Sequence, residues 1–329
     1  MQIFPKTHFD FIGWRWKFFA VSGVLLGGSI ISLATKGAKY GIDFTGGTVM
    51  QVTFKNPVDI GTVRSAIEKS GFPDPAIQHY SGTNTFSIRI QPQKGESAQS
   101  SEDQLNALKT AVPDNPLTID SKSYIGPAVS QDLFKKAVLA IVFSLLGIIV
   151  YLAFRFSNPI WGIAGIIALL HDVLATYGLF SIAGREVDLL IISALLTIGG
   201  YSIHDTIVIF DRMREKMGVI RNLPLDQVIN ESMNETLSRT IITSGIVLAV
   251  VLVLFLFGGQ VIHDFALALV FGTMVGTYSS IAVAAPLVYE WHVHSSKKRP
   301  QAQAAIGGAA KASIKPVAKP KPANNKRGR

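Results

Sequence analysis

The sequence predicts a polytopic α-helical membrane protein: six transmembrane helices, with an α+β ferredoxin-like domain inserted after the first. Three observations predict it. Of 329 residues, 48% are hydrophobic and only 16% charged, and the mean hydropathy is +0.35. Six apolar runs approach the length needed to cross about 30 Å of hydrocarbon. Between the first two runs lies one long segment whose apolar spacing switches between strand and helix periods.

Residues 1–17 read as a short basic N-terminus. The first span is Phe18–Ala34, preceded by Lys6, Arg15 and Lys17. Its 17 apolar-run residues are long for a cleaved leader. Trp14 and Trp16 fit an interfacial belt. A retained anchor is therefore expected.

Residues 35–136 form the inserted domain. Thr48–Phe54 is strand-like, and Val58–Ser70 is helix-like, with Ile60, Val63 and Ile67 at helical spacing. Ala76–Tyr80 and Thr85–Gln91 follow as strands; Phe86, Ile88 and Ile90 alternate in the second. Glu102–Val112 is a second helix and Leu117–Ile125 a last strand. The order β-α-β-β-α-β is the split βαβ pattern, which defines a shape and not an activity. GIDFTGGT, Gly41–Thr48, opens the domain, with Gly46–Gly47 suited to a tight turn. GxxxxGK[ST] occurs nowhere, so a nucleotide engine is not expected and the membrane gradient is the natural energy source.

Residues 137–291 hold five more spans: Ala137–Phe154, Ile160–Ala183, Val187–Phe210, Ile241–Phe257 and Phe265–Trp291. Arg212, Arg214, Lys216, Arg221 and Arg239 lie between spans four and five, on the side of both basic termini. That side is expected to be cytoplasmic. The opposite turns, Gly184–Glu186 and Gly258–Asp264, carry only Arg185. Lys135 and Lys136 sit against the rule, beside a folded domain where it is weak. Leu225–Leu237 is amphipathic, which fits equally a helix in the inner interface leading into span five and an ordinary connecting helix. Gly272, Gly276, Ser280 and Ala284 form a small-residue stripe that allows close helix approach.

Residues 292–329 form a basic tail. Lys297–Arg329 holds ten of the 31 Lys and Arg and none of the 22 acids, so the net charge of +9 belongs to it. Its Ala, Lys and Pro content predicts disorder. Charge alone offers two partners, anionic lipid or the ribosome, beside the simpler role of enforcing topology. The chain has no cysteine, which excludes disulfides, thiolate metal sites and Cys nucleophiles. No cofactor is expected.

The chemistry concentrates in GGYSIHDTIVIFDRMRE, Gly199–Glu215. Asp205 lies six residues before Asp211, ~9 Å inside the span. A central Asp costs about 2.5–3.5 kcal/mol on insertion scales, so it needs a partner. Arg239, at the start of span five, is the candidate. Low dielectric disfavours the ionised acid and a guanidinium favours it. A contact that makes and breaks gives a proton-coupled switch; a permanent one gives a static ion pair. Both readings stand. His171 and Asp172 occupy the middle of span three. Adjacent helical positions point ~100° apart, so the two are expected to have different targets, as proton-path members or as helix-packing groups. His204 has the same two readings. His263–Asp264 repeats the dipeptide in an outer turn, and a metal site is not expected.

Four ordered motifs carry a resemblance: GIDFTGGT, ALLHDV in span three, GGYSIHDTIVIFDRMRE, and TLSRTIITSG at Thr236–Gly245. With the layout of spans and loop, they resemble the SecD/SecF family of the bacterial Sec protein-export machinery, over about Phe11 to Trp291. The resemblance implies an RND-superfamily half, completed by a SecD-like subunit. It implies an inner-membrane protein that works with the SecYEG channel, and with YidC, to draw exported unfolded polypeptide outward on proton motive force. In that family the carboxylate of the GYS…D motif and the arginine of the LxRT motif matter for proton flow. They fall on Asp205 and Arg239, and His204 stands where relatives often carry Asn. Two other readings are a half-transporter for small amphiphiles or lipids and a non-transducing scaffold of a channel; a single outer loop of ~100 residues fits the export family better than a drug pump.

Overall fold

The computed structural model describes residues 7–69, 75–79, 83–90, 106, 108–110, 115–156, 158–219 and 223–295. Six of its helices are long and apolar enough to cross a membrane. They are α1 (Arg15–Lys36), α4 (Pro127–Arg155), α5 (Pro159–Ala183), α6 (Leu189–Val219), α7 (Leu225–Phe257) and α8 (Gln260–Ser279). The last continues through a π-helical turn, Ser280–Ala284, to residue 295. The helices run past the apolar stretches that predict them, except at the start of the fourth, expected from Val187: there the helix begins at Leu189, because Glu186–Val187 pairs as a short strand. Proline opens two of them: Pro127 in α4 and Pro159 in α5, where the missing N–H costs nothing. Asn158 caps α5, its side-chain oxygen accepting from the Ile160 amide at 3.0 Å. Gly184, at φ 64°, ends it.

Between α1 and α4 stands an antiparallel sheet of order β3-β4-β2-β5: Ala76–His79, Thr85–Ile90, Gly47–Phe54 and Leu117–Ile125. That order is the one a split βαβ fold requires. In the register, Met50 faces Ile88 and Val52 faces Phe86. Helix α3 (Ile60–Lys69) lays Val63, Ala66 and Ile67 over these side chains, and Leu108 joins the same core. Most of the expected Glu102–Val112 helix, and the tail from residue 296, lie outside the described residues.

GIDFTGGT has a structural task. Ile42–Thr45 forms a one-turn helix, α2, closed by Gly46 and Gly47 at φ 73° and 115°. Both angles suit glycine and strain a residue with a Cβ. Asp43 then accepts from the Leu189 amide at 2.9 Å, which places a carboxylate at the N-terminus of α6. Beside it, β1 (Lys39–Tyr40) pairs in parallel with β6 (Glu186–Val187). Arg89 of β4 donates to the Tyr40 carbonyl and pairs with Glu186. Burial holds its guanidinium below the ordinary pKa. The sheet is thus tied to the α5–α6 hairpin by backbone pairing, a helix cap and an ion pair.

Helices α5, α6 and α8 make the interior of the bundle; α4 and the second half of α7 leave large apolar side chains such as Phe143, Val150, Ile246 and Val253 exposed. The polar first part of α7 is not a separate interfacial helix. It runs without a break into the span, and its Ile229 and Met233 pack with Phe210 and Met213 of α6. Its outer face carries Asn230 and Asn234, which bond the backbone of Ile12 and Phe9. Past the apolar runs, α6 and α7 are laced by Arg212–Glu235, Lys216–Glu231 and Lys216–Glu235.

Small residues set the closest approaches. A Cβ on Gly178 would lie 2.2 Å from the Ser29 Cβ of α1, and one on Gly272 would lie 2.2 Å from Ile198 Cδ1 of α6. The stripe in span six therefore serves packing within the chain. Gly200 has nothing within 4 Å. Gly178→Ala is expected to destabilise the bundle by about 1–3 kcal/mol through overpacking, whereas Gly200→Ala should be neutral or stabilising by up to about 1 kcal/mol. Unfolding of the two variants in detergent checks the contrast.

Candidate functional site

Two buried carboxylates occupy the middle of the bundle, on different sides of α6. Asp205 is 4% exposed and faces α7. Its Oδ2 accepts from Ser244 Oγ at 3.2 Å. Ser244 in turn accepts from the Tyr201 hydroxyl at 2.8 Å and from Thr277 Oγ1 of α8 at 2.8 Å. One hydroxyl thereby uses its single donor and both acceptor positions, joining three helices around the acid. Thr240, one helical turn from Ser244, is buried with Oγ1 unpartnered. It offers the next polar atom along the α7 face that meets Asp205.

Arg239 makes no ion pair with Asp205 among the described residues and is exposed. Helix geometry explains this. Arg239 and Ser244 are five positions apart, ~140° around α7 and ~7.5 Å along it. Seating Ser244 on the acid turns Arg239 outward. His204, next to Asp205, is exposed as well. The sequence-level pairing is thus a proximity on adjoining helices and not a contact in this state.

Asp172 is fully buried, at 0% exposure. Its Oδ1 meets His171 Nδ1 at 2.9 Å, and its Oδ2 accepts from Ser202 of α6 at 2.5 Å and Ser279 of α8 at 2.7 Å. His171 and Asp172 therefore meet each other, against the expectation from their 100° separation: the Asp side chain turns back to its neighbour while still receiving the two serines. His171 Nε2 is buried with no partner. Just beyond, Thr206 and Ser280 share a hydrogen bond of 2.9 Å, and Ser280 opens the π-helical turn. The third pair, His263–Asp264, lies apart from both acids, with Asp264 held by Arg185 at 2.8 Å.

Sequence reasoning named both acids but missed the hydroxyls that hold them: Ser202, Ser244, Thr277, Ser279 and Tyr201. Their signal is faint, since Ser and Thr are common in membrane helices. Ser202 three residues before Asp205, and Ser279 beside the small-residue stripe, were the available clues.

Six helices long and apolar enough to cross a membrane, carboxylates inside their bundle and a split βαβ sheet domain between the first two define a multi-pass membrane protein. The model for "Protein export membrane protein SecD/SecF, C-terminal" matches residues 104–294, and that for the SecD/SecF GG motif matches 31–58. The chain belongs to the SecD/SecF family. It is 42% identical over 301 residues to protein translocase subunit SecF of Endomicrobium trichonymphae, covering 91% of this chain and 96% of that protein. SecF of Magnetococcus marinus is 43% identical over 292 residues, 88% of this chain and 94% of that one. Among solved structures, SecDF of a Thermus species, a translocon-associated membrane protein, superposes with a TM-score of 0.79 at 37% identity. The match covers 87% of this chain and 39% of that longer chain.

The serines around Asp172 have a measurable weight. Ser202→Ala and Ser279→Ala should each cost about 1.5–3 kcal/mol, the range for a hydrogen bond to a charged group. Ser280→Ala, which removes a neutral pair with Thr206, should cost about 0.5–1.5 kcal/mol. Denaturant titration of the detergent-solubilised chain measures all three.

Proposed function

We propose that this chain is a SecF-type subunit that couples the proton gradient to protein export, with Asp205 as the group that takes up and gives back the proton. The observation that carries this reading is the partner of Asp205. Among the described residues the carboxylate of Asp205 accepts its hydrogen bond from a neutral hydroxyl, Ser244, while the cation of the neighbouring helix, Arg239, lies within electrostatic range without pairing with it. An arrangement built as a static ion pair would engage the guanidinium. Here the acid has a neutral partner in one state and a cation within reach for another, which is what a protonation switch requires.

The same surface bears on the partner. His204 and Arg239 face outward near the middle of the bundle, where lipid would leave them unsatisfied. A SecD-like half packed on this face would supply polar contacts, and the greater length of the Thermus SecDF chain leaves room for one. We place the N-terminus and tail in the cytoplasm, because Arg15, Arg155, Arg212, Arg214 and Lys216 collect at that end of the helices. The sheet domain, residues 35–136, then lies in the periplasm of an inner-membrane protein, next to exported unfolded polypeptide leaving SecYEG. YidC as an associate, and anionic lipid or the ribosome at the tail, rest on resemblance and charge alone.

The test is Asp205→Asn in inverted vesicles that contain SecYEG and the SecD-like subunit. Secretion of a model precursor should lose its gradient-dependent part, while ATP-driven insertion and complex assembly persist. Gradient stimulation equal to wild type would leave a scaffold in place of a transducer. Ser244→Ala, which removes the resting partner, should change the pH at which stimulation is half-maximal without abolishing it.

A further inference from the structure

The Asp172 cluster is independent of the machinery assigned to Asp205, and its chemistry is unfinished. Facing Asp172 and His171 are Ser202 from α6, and Gly276, Tyr278 and Ser279 from α8. Tyr278 lies beside the His171 ring, with centroids 6.3 Å apart, and its hydroxyl bonds Phe18 O and Ser22 of α1. Among the described residues, no Lys or Arg pairs with Asp172. The titratable groups in reach are His171, Tyr278 and, one turn along α6, Asp205.

We propose that His171 and Asp172 form a second proton-binding site, which gains and loses one proton at His171 Nε2. Two states follow from the geometry. With a neutral imidazole donating Nδ1–H to the carboxylate, the pair carries a net charge of −1 and Nε2 is a bare acceptor. One proton added at Nε2 brings the pair to net zero. The hydrogen on the Nδ1–Oδ1 axis then sits on either atom, and Nε2 carries hydrogen in both cases. Burial disfavours the net-charged state; the Ser202 and Ser279 hydroxyls, both aimed at Oδ2, offset that cost.

The second observation is the orphaned nitrogen. His171 is buried, yet Nε2 has no hydrogen-bond partner among the described residues. A buried polar atom left unmade costs about 1–3 kcal/mol, so a purely structural histidine would be expected to find one. Nε2 is instead the atom left available to a water that delivers or removes a proton. The site and Asp205 share two helices: Ser202 and Asp205 are one turn apart on α6, and Ser279 and Thr277 both belong to α8.

The experiment is nitrogen-15 histidine NMR of the full chain in lipid nanodiscs, with the His171 signals assigned by His171→Gln. Between about pH 5 and 9, Nε2 should switch between its bare and hydrogen-bearing forms in a single transition. Asp172→Asn should abolish that transition, and Asp205→Asn should leave it in place. An Nε2 that keeps one form throughout, a transition indifferent to Asp172→Asn, or one lost in Asp205→Asn would overturn the proposal. Should Asp172→Asn fail to fold, Ser202→Ala with Ser279→Ala keeps the carboxylate and removes its donors. That variant should retain the proton to higher pH by about one unit, a tenfold change in affinity, and an unmoved midpoint would also count against the site. The measurement needs no transport, so it stands or falls apart from the role proposed for Asp205.

Discussion

A polar group in the hydrocarbon core has no water to turn to, so each one must be satisfied by the chain itself. That constraint organises the bundle. Two acids with no Lys or Arg partner among the described residues would each be costly in isolation, and each is made tolerable by hydroxyls borrowed from other helices: Ser244 for Asp205, and Ser202 with Ser279 for Asp172, beside His171. Because the donors come from α6, α7 and α8, the interhelical contacts and the polar clusters are the same structure. The small residues between them, Gly276 against Ser202 for example, let the backbones come close enough for short side chains to reach.

Helix α6 takes part in both clusters, as α8 does through Thr277 and Ser279. It presents Ser202 toward α5 and α8, and Asp205 toward α7. Any displacement of α6 therefore alters the surroundings of both acids at once. The π-helical turn at Ser280–Ala284 lies beside this point, where Ser280 meets Thr206. Such turns tolerate local changes of register that a regular α-helix resists. On the other side of the bundle, the cap from Asp43 to the Leu189 amide links the N-terminus of α6 to the sheet domain. One helix thus connects the two buried acid clusters to the sheet domain.

Much of this was legible before any coordinates. The spans, the strand order and the two interior acids follow from apolar spacing and from the cost of a carboxylate in hydrocarbon. What was not legible is contact. Asp205 and Arg239 sit on adjoining helices, yet helix rotation decides between Arg239 and Ser244 as partner, and rotation depends on packing that residue spacing does not encode. His171 and Asp172 failed the angular argument because a side-chain torsion can reverse a 100° separation. Ser202 and Ser279 went unseen because a serine in a membrane helix usually bonds its own backbone, as Ser193 does to Leu189. The one-turn helix inside GIDFTGGT was hidden for a similar reason: its purpose, capping α6, is a tertiary one.

The length of the α6–α7 hairpin has a mechanical consequence. At 31 and 33 residues, these helices extend ~46 and ~50 Å, well beyond the hydrocarbon. Their overhanging stems are splinted by Lys216 and Arg212 reaching across to Glu231 and Glu235. Taken as a pivot, the splint lies roughly 10 to 16 Å along α6 from Asp205. A tilt of a few degrees about it swings the acid and Ser244 apart by about an ångström, which is enough to open a hydrogen bond. The hairpin has the proportions of a lever: its splinted stems and the Ser244–Asp205 hydrogen bond lie on the same pair of long, continuous helices, so tilting the stems changes the surroundings of that carboxyl group.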